Sequence, residues 1–120
     1  EVLFLFLGVF FHKLRQRLTL DKLEDCTGKT YPAIHVIGGG TKDTLLCRMT
    51  ASSTNRKVVA GPIEATVLGN ICVQLLSCGA IKSVEQARKI VKASENTVEY
   101  SPADADKWAE AYERFKGIVE

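Results

Sequence analysis

The chain has 120 residues, a size that holds one hydrophobic core and excludes a second complete domain. Its 46% hydrophobic, 25% charged and 8% aromatic residues are an ordinary globular composition, which excludes a disordered or collagen-like chain. A formal charge of +2, with no long block of like charge, lacks the basic footprint of a nucleic-acid binder.

The first residue is Glu1 rather than Met, which leads to the expectation that the chain is a piece of something longer. Residues 2–11, Val-Leu-Phe-Leu-Phe-Leu-Gly-Val-Phe-Phe, form the most apolar stretch. It is too short for the roughly 18 to 20 residues that cross a bilayer, so no membrane partner is expected. It also lacks the basic start of a signal peptide, and it reads as an atypical apolar segment (1–11) ahead of a body covering 12–120. Cys26, Cys47, Cys72 and Cys78 contain no C-x-x-C pair, which suggests neither a zinc site nor a disulfide framework but partly buried, reduced thiols in a cytoplasmic protein.

From His12 to Cys26, Leu14, Leu18 and Leu23 recur at helical spacing among charged residues, and Gly28 stops the helix. Ala33-Ile-His-Val-Ile37 reads as a strand buried on both faces, ending in Gly38-Gly39-Gly40. Thr41 is the expected cap of a second helix, with Leu45, Leu46 and Met49 on one side. A second strand covers Arg56–Ala60. After Gly61, with Pro62 at the first helical position, Ile63–Cys78 is apolar round most of its circumference and predicts a helix packed on several sides. Gly69 inside it predicts close approach of another backbone. Ser83-Val-Glu-Gln86 has capping-box form. Ser101–Asp104 opens a last helix with Trp108, Tyr112, Phe115 and Val119 on one stripe. The fold class is therefore α/β, with two parallel strands, flanking helices and a helical C-terminus. Two such strands make an incomplete sheet, which implies that residues outside this chain complete it.

The chemistry-bearing feature is Ile37-Gly-Gly-Gly-Thr-Lys-Asp43, a turn from a strand to a helix N-terminus. Such a turn presents backbone N–H groups and positive dipole, and glycines let a nucleotide approach the backbone. It is neither a Walker A loop nor a dinucleotide fingerprint, and a plain tight turn reads equally well from these residues alone. Glu64, near a helix start, reads as a dipole partner rather than a catalytic carboxylate.

Ile34-His-Val-Ile-Gly-Gly-Gly-Thr-Lys-Asp-Thr-Leu-Leu46 followed by Val58-Val-Ala-Gly-Pro-Ile-Glu-Ala-Thr-Val-Leu-Gly-Asn70 resembles the C-terminal part of the FGGY carbohydrate kinases, most closely the rhamnulokinase branch. The resemblance runs from about Leu14 to the C-terminus. It implies a partial actin-like ATPase (ribonuclease H-like) domain, with ATP and Mg2+ as cofactors and a sugar, by implication L-rhamnulose, as phosphoryl acceptor. It also implies that Gly39 packs against adenosine, that Gly38 and Gly40 shape the turn, and that Asp43 stands where the family usually has a nucleotide-contacting Asn. No catalytic residue or metal ligand is carried over, because the family's catalytic Asp and phosphate loop lie in the missing N-terminal lobe, and the fragment alone is expected to be inactive. The alternatives are another kinase of the family, acting on xylulose, ribulose or fuculose, and a non-catalytic nucleotide-binding or interaction module.

Overall fold

The computed structural model describes residues 2–119. Five α-helices, α1 (Val2–Thr27), α2 (Thr44–Thr54), α3 (Ala65–Ser77), α4 (Val84–Ser94) and α5 (Ala105–Val119), surround three strands, β1 (Ala33–Val36), β2 (Lys57–Ala60) and β3 (Val98–Tyr100). A 3-10 turn at Gly38–Lys42 links β1 to α2. The sheet order is β1-β2-β3, with β1 parallel to β2 in the register Ala33↔Lys57 to Val36↔Ala60. β3 runs antiparallel on the other side of β2, with Val58↔Tyr100 and Ala60↔Val98. The expected pair of parallel strands is thus corrected to a mixed sheet of three. β3 has only three residues, bounded by polar ones, and its pairing comes from β2 rather than from an apolar run of its own.

α1 passes without a break through residue 12, so the apolar segment and the charged stretch that follows form one helix of 26 residues. No helix among the described residues is long and apolar enough to cross a membrane. The helix closes where the Gly28 N–H donates to the Glu24 carbonyl at 2.8 Å. Leu14 is buried as its spacing predicts, whereas Leu23 is exposed.

Two clusters form the core. The first packs Cys47 and Ala51 of α2 on Val58 and Ala60 of β2, with Ile34, Val36 and Tyr100 around them. The buried face of α2 is therefore made of small and hydroxylated residues, Cys47, Thr50, Ala51, Ser53 and Thr54, and not of Leu45, Leu46 and Met49. Small side chains let α2 lie close to both α1 and the sheet. The buried hydroxyls are satisfied within the helix: Thr50 donates to the Leu46 carbonyl at 2.8 Å, and Ser53 and Thr54 donate to the Thr50 carbonyl. The second cluster packs Leu14 of α1 on Tyr112 and Phe115 of α5, and Phe10 stacks on Trp108 at 4.9 Å between centroids. The Tyr112 hydroxyl donates to Asp21 Oδ2 at 2.6 Å. Val119, expected on the same stripe, is exposed.

At the far end of α1, Glu24 accepts two bonds from Arg56 Nη2, at 3.1 and 3.2 Å, and one from the Tyr31 N–H at 2.9 Å. The Tyr31 amide, followed by the Arg56 guanidinium, holds the Glu24 carboxyl below the usual carboxylate range. A lowered folded-state pKa contributes stability that is present at neutral pH and lost as pH falls through that value. Replacing Glu24 by Gln should therefore flatten the acid-side decline of the thermal midpoint, because the variant has no carboxylate there to take up a proton.

The second face of the sheet is different. Ile34, Val36, Val58 and Ala60 face α2, but His35 is exposed, so the strands are buried on one face and not on both. His35 and Val59 instead line a groove of about 700 Å3 with Leu68, Cys72 and Leu76 of α3 and Val91 of α4. No residue of α3 is buried among the described residues, and Val67, Ile71 and Val73 are exposed, contrary to a helix packed on several sides. Its principal neighbour in the chain is α4. A Cβ at Gly69 would meet nothing within 4 Å, so the expected close backbone neighbour is also absent among the described residues. α4 begins at the expected cap, where Ser83 Oγ accepts from the Gln86 N–H at 3.1 Å, but Gln86 Oε1 accepts from the Lys82 N–H at 2.9 Å, one residue before the Ser83 N–H that a capping box would use. All four cysteines are free, with Cys47 buried and Cys26 and Cys78 exposed rather than partly buried.

Candidate functional site

Because β1 and β2 are parallel neighbours, their carboxyl ends, Val36 and Ala60, lie side by side and the chain leaves both on the same edge of the sheet. The crevice beyond such ends is where open α/β sheets bind ligands. One exit is the Gly-rich 3-10 turn, Gly38–Lys42; the other is Gly61–Glu64, leading into α3. Two backbone bonds stitch them together, from the Gly61 N–H to the Val36 carbonyl at 2.8 Å and from the Gly38 N–H to the Pro62 carbonyl at 3.1 Å. Pro62, expected as the first helical residue, lies in this turn, and α3 starts at Ala65. Ile37 and Ile63, 59% and 42% exposed, stand as apolar rims at the two exits.

The three glycines serve unequal purposes. Gly38 has φ +78°, a conformation that glycine adopts without strain. Gly39 has no such need, and a Cβ there would meet nothing within 4 Å. At Gly40 a Cβ would first meet Val36 Cγ1 at 3.9 Å. The outer side of Gly39 is thus open space into which the absence of a side chain lets a ligand come. Internal packing supplies no reason for glycine at that position.

α2 is capped by Asp43, whose Oδ1 accepts from the Leu46 N–H at 2.9 Å, and not by Thr41 as expected. The 3-10 turn delays the start of the helix, and Thr41 Oγ1 instead donates to the Gly38 carbonyl at 2.7 Å, closing the turn on itself. The Asp43 side chain is therefore engaged in α2 at the mouth of the turn while remaining exposed. Glu64 is likewise exposed and makes no side-chain cap bond, though its carbonyl accepts from the Leu68 N–H at 3.0 Å.

Beneath the turn lies a polar cluster that the sequence did not reveal. The Cys47 thiol donates to the Gly40 carbonyl at 3.7 Å. One turn further along α2, Thr50 Oγ1 accepts from Lys13 Nζ at 2.8 Å, and Lys13 also donates to Gln16 Oε1 at 3.0 Å. Lys13 is only 2% exposed, and burial lowers its pKa, opposed by the negative charge of Asp43. Burial in turn raises the Cys47 thiol, so it stays protonated and able to donate. The sole sequence signal for Lys13 was a cation directly after an apolar run and beside Leu14. Among the described residues no three His, Cys, Asp or Glu are grouped to hold a metal ion.

The arrangement suits binding. It offers an open glycine face and two apolar rims at the exits of two parallel strands. Residues 8–78 match the family model for the C-terminal domain of the FGGY family of carbohydrate kinases. The chain is similar to the rhamnulokinase of Bacteroides thetaiotaomicron, 37% identical over 106 residues, 88% of this chain and 22% of that protein. It is also similar to the rhamnulokinases of Halalkalibacterium halodurans, 41% identical over 71% of the chain and 18% of the relative, and of Bacillus subtilis, 34% identical over 75% and 19%. The chain thus spans about a fifth of the length of these relatives. It belongs to the FGGY family of carbohydrate kinases, whose C-terminal domain its residues 8–78 match.

Proposed function

We propose that this chain is the adenosine-binding end of a sugar kinase that transfers the γ-phosphoryl group of ATP to L-rhamnulose, giving L-rhamnulose 1-phosphate. The observation that carries the reading is the open outer side of Gly39 in a turn stitched to the Gly61–Glu64 exit at the carboxyl ends of two parallel strands. The nucleotide rests its adenosine on Gly39, with Gly38 and Gly40 holding the curve of the turn and Ile37 and Ile63 shielding it from water. Asp43 fixes the start of α2 beside it. ATP supplies the transferred group and Mg2+ would accompany its phosphates, and this chain's part is to bind and orient.

The fold is on this reading the last part of an actin-like lobe. The exposed apolar side of α3, the half-open second face of the sheet and the unpaired edge of β1 support it, since each is a surface that further strands and helices would cover. The sugar, the catalytic carboxylate and the phosphate loop belong to the other lobe, and the chain by itself turns over no substrate. Cytoplasmic location follows from the same reading.

Titrating the 120-residue chain with ATP should shift the amide resonances of residues 37–43 and 61–64. Gly39→Val should weaken that binding at least about tenfold, since a branched side chain fills the space the nucleotide uses, and should leave the thermal midpoint nearly unchanged. Equal ATP affinity in the variant would overturn the assignment of the turn. A chimera in which this chain replaces the matched segment of the Bacteroides relative should phosphorylate L-rhamnulose; a chimera that folds and binds ATP without turnover would favour a non-catalytic binding module instead.

A further inference from the structure

A lysine at 2% exposure is unusual, and more so when both of its hydrogen-bond partners, Gln16 Oε1 and Thr50 Oγ1, are neutral. No carboxylate lies within ion-pair distance of Lys13 among the described residues. The charge that acts on it through space is that of Asp43, the N-cap of α2; the Cys47 thiol is protonated and carries none. Asp43, Cys47 and Thr50 stand at i, i+4 and i+7, on one side of α2. That side carries the Asp43 carboxylate at the mouth of the Gly-rich turn, the thiol bonded to Gly40 and the hydroxyl bonded to Lys13.

The carboxylate of Asp43 is unfavourable for an anionic ligand arriving at the turn. A buried cation behind it is poorly screened by solvent, and its field reaches the same mouth with opposite sign. We propose that Lys13 is a positioning residue for the Gly-rich turn, holding α2 through Thr50 and offsetting the charge of Asp43 so that a nucleotide phosphate reaches the turn without net repulsion. The inference rests on the nucleotide reading above and adds to it a residue 25 positions upstream of the first glycine of the turn, on a different helix.

The test uses the 120-residue chain with ATP and adenosine as separate probes, and the variants Lys13→Met, Lys13→Arg, Asp43→Asn and the Lys13→Met/Asp43→Asn double. Lys13→Met should weaken ATP roughly two- to fivefold at low salt, the size of a partly screened charge interaction, and leave adenosine unchanged. Lys13→Arg should retain most of the ATP affinity. Asp43→Asn should tighten ATP, and the double variant should return close to the parent. Equal losses for ATP and adenosine would reduce Lys13 to a packing role, and an unchanged ATP affinity in a folded Lys13→Met would overturn the proposal. The side-chain resonances of Lys13 give a readout without nucleotide: Asp43→Asn should lower the Lys13 titration further, because it removes a charge that raises it. A chain that binds neither probe defeats the nucleotide reading, and the Lys13 titration then decides the charge pairing; no change on Asp43→Asn overturns it.

Discussion

Truncating Phe115 to alanine should destabilise the chain by about 3–5 kcal/mol, the usual range for an aromatic removed from a packed core. Phe115 is 4% exposed and packs with Leu14 and Tyr112, with Phe11 a further 6.2 Å away between ring centroids. This cluster is the main apolar seam between α1 and α5, two long helices that meet across little else. A domain of this size has on the order of 10 kcal/mol of stability in all, so a loss of this size removes a large fraction of it. α5 cannot settle inward to close the gap, because Trp108 is stacked on Phe10 and the Tyr112 hydroxyl is tied to Asp21. Ile118→Ala, at a position 75% exposed on the same helix, should change stability by less than about 0.5 kcal/mol. Urea unfolding at constant slope separates the two; a cost below about 1 kcal/mol at Phe115 would mean that the seam does not hold α5.

What could be read from the chain, and what could not, follows from how local each signal is. Ala33–Val36 and Lys57–Ala60 carry β-branched residues and are closed by glycines at Gly38 and Gly61, so their existence follows from residues close in sequence, and their parallel pairing from the helix that joins them. The same holds for the cap at Ser83 and for the stripe of Trp108, Tyr112 and Phe115. β3 could not be read, because Val98-Glu-Tyr100 is a strand only through its bonds to β2, some 40 residues earlier. The buried face of α2 escapes a reading of hydrophobicity for a related reason. Hydrophobicity points to Leu45, Leu46 and Met49, whereas packing between α1 and the sheet selects Cys47, Ala51 and the hydroxylated residues by size.

The site divides in the same way. The Gly-rich turn and its place after a buried strand are local, and Gly38–Lys42 stands where the sequence put it. The role of Asp43 as a cap depends on the turn being 3-10, which moves the helix start past Thr41. Lys13 was beyond reach, since a cation on a helix with charged neighbours reads as solvated until another helix covers it. Its burial comes from the approach of α2, which the small residues of that helix allow.

Replacing Gly61 by alanine should cost about 2–5 kcal/mol, in contrast to Gly39→Ala, which should cost less than about 1 kcal/mol. Gly61 has φ +125°, where an L side chain is strained, and an added Cβ would lie 3.2 Å from both the Asn96 carbonyl oxygen and Thr97 Cγ2. The backbone carbonyl cannot swing aside cheaply, because Asn96 and Thr97 lead directly into β3, which pairs with β2 through Ala60↔Val98. Relief of the clash therefore has to come from shifting β3 or from loosening the bond between the Gly61 N–H and the Val36 carbonyl. Either movement reaches the site, since that bond is one of the two that stitch the turns together. Amide exchange should quicken at Val98–Tyr100 in Gly61→Ala and remain as in the parent in Gly39→Ala. The two glycines also part in ligand binding: Gly61→Ala should lower ATP affinity together with stability, whereas the bulkier Gly39→Val should lower affinity while leaving the fold in place. If Gly61→Ala left β3 protected, the close approach of residues 96–97 to the turn would not constrain the site, and the positions of the two strand exits would have to be set by α2 alone.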